Sequence, residues 1–133
     1  KKIKNFLSWF NNYGFSFVPL VSMKTDSIRR ELLDINGIGP ETADSILLYG
    51  LRRKIFVVDA YTKRIYSRLG IINMNSSYEE VRNIFEKGTS GGVIKYNEYH
   101  ALIVVHGKDI CKNKPLCASC CLGSICPSFN RII

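Results

Sequence analysis

Four cysteines in a symmetric spacing, Cys111-x5-Cys117-x2-Cys120-x5-Cys126, place four thiols inside 16 residues. Four sulfurs satisfy either tetrahedral zinc or a four-iron cluster. Zinc modules usually present two separated C-x2-C knuckles. Here one C-x2-C is flanked by single cysteines at five-residue spacings, a pattern that leans towards iron–sulfur. Cys121 is the spare, because it could replace Cys120 only by changing both spacings. Ordinary buried cysteines would not crowd the end of a chain at this density, and a disulfide fold would spread its cysteines to close sizeable loops. The run therefore points to a metal centre and an intracellular, reducing compartment, the cytoplasm if the source is a prokaryote. Pro115 and Pro127 constrain the loops, and Lys108, Lys112 and Lys114 lie near the first sulfur. A loop tied by a metal centre would hold such lysines in a fixed array, suited to tracking a nucleic-acid backbone.

A second candidate is "LLDINGIGPETADSILLYG", Leu32 to Gly50, which reads as a helix end, a tight Gly37-Ile38-Gly39 turn and a new helix opening on Pro40. A helix start exposes backbone N–H groups with no partner inside the helix, and a phosphate can accept from them while meeting the positive end of the dipole. The backbone must then approach the ligand closely, which excludes bulky side chains, and glycine also permits the positive φ a tight turn needs. Pro40 suits the first helical position, where a missing N–H costs nothing. Such a turn would position phosphate and carry no base information. A plain helix–glycine–helix corner reads the same way locally.

The third is Asp59, which follows the apolar "IFVV" and precedes a helix. It is a natural N-cap for the N–H of Tyr61 or Thr62. A carboxylate beside buried residues could also stay ionised in a cleft, stabilise developing positive charge or activate a water. The cap and the chemical role can coexist. His100 and His106 lie on the helix before the cysteines, where packing or a structural hydrogen bond is the expected role.

The elements that must position these residues are helical throughout. Residues 1–12 form an amphipathic helix, with Trp9 and Phe10 (and Phe15 beyond it) expected in the core, and 12–22 a connecting segment. Residues 25–35 restart a helix capped by Thr25 or Asp26, with Ile28, Leu32 and Ile35 on one face. Ala43, Ile46, Leu47 and Gly50 share a face after the hairpin. Residues 54–59 are extended or helical, and Tyr61, Ile65 and Leu69 lead to a stop at Gly70. Ser76 and Glu79 give a capping-box pattern before a helix with Tyr78, Val81 and Phe85 inward. Residues 94–107 make a largely buried helix ending at Gly107. The class is all-α. The 133 residues suit one modest core, and the net charge of +8 with pI near 9.4 favours a polyanionic partner. No apolar run approaches the ~20 residues of a membrane span, so no membrane partner is expected. The chain starts without Met inside an amphipathic helix, as a fragment would.

In this order, "LLDINGIGPETADSILLYG", "VVDAYTKRIYSRLG" and "HGKDIC" leading into four cysteines resemble the endonuclease III (HhH-GPD) superfamily of base-excision DNA glycosylases across residues 1–127. The resemblance implies a partial helix-hairpin-helix glycosylase domain over 1–106, with the hairpin at 27–50, and a [4Fe-4S] loop and tail over 107–133. Gly37, Ile38 and Gly39 would grip a phosphate of double-stranded DNA, often with a bound monovalent cation. Asp59 would be catalytic, and Cys111, Cys117, Cys120 and Cys126 would hold the cluster, with zinc as the alternative metal. The first cysteine spacing is one residue shorter than is usual in the family.

Bifunctional members carry a lysine 18 residues before the aspartate, where this chain has Glu41. Glutamate cannot form a Schiff base, so the resemblance implies a monofunctional, monomeric glycosylase, closest in motif to the 3-methyladenine branch and acting on a damaged, alkylated purine. A non-catalytic DNA-binding module and a glycosylase/AP lyase using Lys54 or Lys63 are the alternatives. Family members carry a further half-domain before this start, so these 133 residues alone are expected to hold only part of the base pocket.

Overall fold

This computed structural model describes residues 1–129 and 131, which are helical with no β-strand among them. The chain forms two compact units, one over Lys1–Val57 and one from Val58 onward.

The first unit comprises α1 (Lys2–Asn11), α2 (Thr25–Asp34) and α3 (Pro40–Ser45). Its core is apolar at helical spacing: Ile28, Leu32 and Ile35 from α2 and its end, Ala43 and Leu47 from the next helix, and Leu20 from a short 3-10 turn. The expected side-chain cap of α2 is not formed. Lys24 is extended (φ −66, ψ 142) and starts the helix without a side-chain bond, which places Thr25 and Asp26 inside the first turn. There the Asp26 carboxylate meets the positive end of the dipole.

α3 passes into a wider π-helical turn, Ile46–Gly50. The widening rotates the last residues off the expected face, so Leu47 and Leu48 are buried and Gly50 is exposed. Residues Ile55 to Val58 are buried and belong to no helix or strand. No residue of α1 is fully buried. Its rings pack on one another, Phe10 lying 5.8 Å from Phe6 and 4.7 Å from Phe17 between centroids. Phe15 departs from the core expected for it: it is 57% exposed and sits at φ 54. The left-handed reversal after α1 turns its side chain to the surface.

The second unit comprises α4 (Ala60–Arg68), α5 (Tyr78–Gly88), α6 (Val93–Asp109) and the cysteine loop. Its core includes Thr62, Ile65, Val81, Phe85, Tyr96 and Ile103. The capping box of α5 falls one residue later than expected. Ser77 accepts from the Glu80 amide and Glu80 accepts in return from Ser77 N, while Glu79 is held by Arg82 at 2.7 Å.

Phe85 meets the Tyr66 ring at 4.5 Å, and the Tyr66 and Tyr99 hydroxyls share a hydrogen bond of 2.5 Å. Burial, followed by that bond, pushes the Tyr66 phenol well above its usual range. α6 does not end at Gly107 but continues to Asp109, and its outer face is open: Ile94, Leu102 and Val105 are exposed. No helix among the described residues is long and apolar enough to cross a membrane.

Candidate active site and metal centre

The hairpin is built as its glycines require, though for two different reasons. Gly37 has φ +94, and a Cβ there would lie 2.7 Å from Lys2 Cβ, so both the turn and the approach of α1 demand glycine. Gly39 is extended (φ −96, ψ 178) and caps α3, and a Cβ there would meet nothing within 4 Å. The space in front of the α3 start is therefore open. Ile38 is buried between them and anchors the turn, its amide donating to Ile35 O at 3.0 Å.

Glu41 stands exposed in the first turn of α3. Behind the turn, Arg29 of α2 clamps Asp44 of α3, with Nε to Oδ1 at 2.6 Å and Nη2 to Oδ2 at 3.1 Å. Asp44 is wholly buried and Arg29 only 12% exposed. Two helices joined by this pair hold the hairpin angle, and neither residue carries a local signal that would have marked it.

In the second unit Asp59 is the N-cap of α4 and more than a cap. Its Oδ1 accepts from Thr62 N at 2.7 Å and Thr62 Oγ1 at 2.9 Å, while the Asp59 amide meets Thr62 Oγ1 in return. Its Oδ2 faces His100 Nε2 of α6 at 3.1 Å. The two side chains are 10% and 12% exposed. Burial alone would raise the carboxyl's pKa, but hydrogen bonds from His100 and from the Thr62 backbone and hydroxyl outweigh it and hold Asp59 below the ordinary carboxylate range. A largely buried carboxylate fixed through both oxygens, its pKa lowered, stays ionised at neutral pH and presents a directed negative charge. His100, expected to serve packing or a structural hydrogen bond, turns out to contact this carboxylate across 41 residues of sequence. Lys63 is engaged elsewhere, its Nζ donating to Ser76 O at 2.8 Å.

The cysteine loop is arranged around one cavity lined by Cys111, Cys117, Cys120 and Cys126 together with Arg68, Ile110, Pro115 and Phe129. All five cysteines are free thiols, and Cys121 is exposed and lies outside that lining. The four sulfurs singled out by their spacing are thus the four the fold brings together. Two arginines of α4 tie the loop down. Arg64 donates to Cys111 O at 2.8 Å and Gly107 O at 2.7 Å, and Arg68 reaches Lys112 O, Asn113 O and the Cys111 sulfur.

His106 Nε2 lies 3.6 Å from Cys120 Sγ. Gly107 lets α6 pass α4, because a Cβ there would fall 2.6 Å from the Tyr61 ring. It is a close-approach glycine, not a helix stop.

No protein-family model matches the chain. Among known proteins, it is 50% identical over 130 residues to the candidate DNA repair glycosylase MJ1434 of Methanocaldococcus jannaschii, covering 96% of this chain and 59% of that protein. It is 30% identical over 128 residues to endonuclease III of Sulfolobus acidocaldarius, covering 96% and 55%. A solved structure of a non-covalent endonuclease III–DNA complex superimposes with a TM-score of 0.70 at 26% identity, over 77% of this chain and 48% of that one. The chain thus spans about half the length of the relatives it matches.

Proposed function

Because the chain's homologues are endonuclease III-like DNA glycosylases and its fold is the endonuclease III fold, we propose that it performs the DNA-binding and catalytic work of a base-excision glycosylase. The observation that carries this reading is Asp59, an ionised carboxylate held by Thr62 and His100. Breaking an N-glycosidic bond leaves positive charge on the sugar, and a fixed anion beside it lowers the barrier. The same carboxylate can orient or deprotonate the attacking water. The Gly37-Ile38-Gly39 turn, open in front of Gly39, leaves the start of α3 accessible to a phosphate of double-stranded DNA, and a monovalent cation would bind at the same turn.

The reaction is base removal without strand cleavage. Glu41 replaces the amine that a lyase needs, and Lys63 is occupied by Ser76 O. An alkylated purine suits such a site, since a cationic base departs readily once it is flipped and stacked. The competing reading is a glycosylase/AP lyase, favoured by relatives that bear the name endonuclease III. Purified protein incubated with DNA carrying 3-methyladenine, 8-oxoguanine or mispaired adenine separates these. The proposal expects 3-methyladenine release and no borohydride-trapped adduct. Release of either of the other bases but not 3-methyladenine would refute the substrate, and a trapped adduct would refute the monofunctional mechanism.

Cys111, Cys117, Cys120 and Cys126 fit a [4Fe-4S] cluster. Four sulfurs share one cavity, and their single C-x2-C flanked by lone cysteines differs from the two separated knuckles usual for zinc. The cluster would supply a rigid tie for the loop that carries Lys112 and Lys114. The chain's own residues do the rest: Arg64 and Arg68 fix the loop to α4, the helix that Asp59 begins. Cluster-bearing protein is brown, while zinc-bearing protein is colourless.

A further inference from the structure

Arg68 occupies the last turn of α4 and meets the cysteine loop at both of its ends. Its Nη1 donates to Lys112 O at 2.5 Å and lies 3.3 Å from Cys111 Sγ, and its Nη2 donates to Asn113 O at 3.1 Å. Its own carbonyl accepts from Ser128 Oγ at 2.8 Å and faces the Cys126 sulfur at 3.7 Å. One residue therefore touches the first and last sulfurs of the set, and it lines their cavity. Arg64 differs: its donors go to backbone carbonyls, Cys111 O and Gly107 O.

We propose that Arg68 is a tuning residue of the cysteine-bound cluster, setting its reduction potential and its retention through the hydrogen bond to the Cys111 sulfur and the clamp on residues 112–113. The inference rests on the [4Fe-4S] reading above. The guanidinium is a planar, cationic fork of N–H donors. Whichever one-electron couple is used, the reduced state carries one more negative charge on the iron–sulfur–thiolate unit. A cationic N–H donor at a ligand sulfur stabilises that state more than the oxidised one and raises the potential. The two carbonyl contacts keep the fork in place, so the donor is pre-organised.

The test compares the purified parent protein with Arg68→Gln and Arg68→Lys. Iron, zinc and labile sulfide per chain are measured first, followed by a spectroelectrochemical titration and the rate of iron loss to a chelator. Arg68→Gln removes the charge, and the reduced-to-oxidised ratio at a fixed potential is expected to fall about tenfold, equivalent to ~59 mV for one electron. Arg68→Lys keeps the charge but cannot bridge Cys111 Sγ, Lys112 O and Asn113 O together, so iron loss is expected to be at least several-fold faster than in the parent.

An iron-loaded Arg68→Gln protein that titrates with the parent overturns the tuning role. Should that variant not hold iron, Arg68→Lys decides: iron loss and potential both equal to the parent's overturn the proposal, and faster loss supports it. A parent protein with zinc and no labile sulfide defeats the cluster reading itself, which distinguishes the two failures.

Discussion

Replacing Asp44 with alanine should destabilise the protein by about 3 kcal/mol, the lower part of the 3–5 kcal/mol typical when one partner of a buried ion pair is removed. The Asp44 carboxylate is wholly buried and takes two bonds from Arg29, at 2.6 and 3.1 Å. Without it the guanidinium loses the carboxylate that takes both of those bonds. Because Arg29 remains 12% exposed, water can recover a little of that loss, and the lower end of the range follows.

For a chain of this length, about 3 kcal/mol corresponds to a fall in Tm of roughly 10 °C. Circular dichroism during thermal and urea denaturation measures both quantities. The double variant Arg29→Met/Asp44→Leu should recover most of the loss, because an apolar pair of similar volume often matches a buried ion pair. Since the pair joins the two helices of the hairpin, DNA affinity should fall in Asp44→Ala even below its Tm. An Asp44→Ala protein within about 1 kcal/mol of the parent, with native helicity, would refute the argument that this pair holds the turn.

Other perturbations have equally definite outcomes. Gly107→Ala would press a Cβ to within 2.6–2.9 Å of the Tyr61 side chain, so overpacking should cost about 1–3 kcal/mol, read from the urea midpoint. His100→Ala removes the donor to Asp59 Oδ2 and should slow base release about tenfold, the equivalent of one hydrogen bond of ~1.4 kcal/mol, with DNA affinity unchanged. His100→Gln should restore part of that rate. Asp59 also leaves a signature in acid. Its folded pKa is lowered, so its contribution to stability is full above the unfolded value of ~3.9 and is lost as pH falls through the lower folded value. The stability difference between parent and Asp59→Asn should therefore be constant above about pH 5 and shrink below about pH 4. A difference that changes mainly between pH 6 and 8 would assign the effect to another group.

The features legible in the sequence were those whose partners are local. The cysteine spacing picked out four sulfurs that line one cavity and left Cys121 outside. Asp59 and Thr62 lie three residues apart, within the reach of an N-cap. Gly37 shows the positive φ that a Gly-Ile-Gly turn suggests. What escaped were contacts closed by the fold over long separations. His100 reaches Asp59 across 41 residues and Arg68 reaches Cys111 across 43, and nothing next to either residue encodes the partner.

Asp44 looks like an ordinary polar residue of a short helix until Arg29 is brought beside it. Gly107 reads as a helix stop in sequence, because a glycine needed for close approach and one needed to end a helix have the same neighbours. The α5 cap slipped by one residue because Ser76/Glu79 and Ser77/Glu80 have identical spacing, and in the fold Arg82 holds Glu79 while Glu80 closes the box on Ser77.

Base release by Asp59→Asn tests the central claim most directly. Asparagine keeps the size and the ability to accept from Thr62, yet removes the charge. Measured under single-turnover conditions on DNA carrying an alkylated purine, the variant should lose at least about 100-fold in rate, as expected when a directed electrostatic stabiliser is removed, while binding the same DNA with the parent's affinity. An Asp59→Asn protein that releases base at the parent's rate would contradict the account.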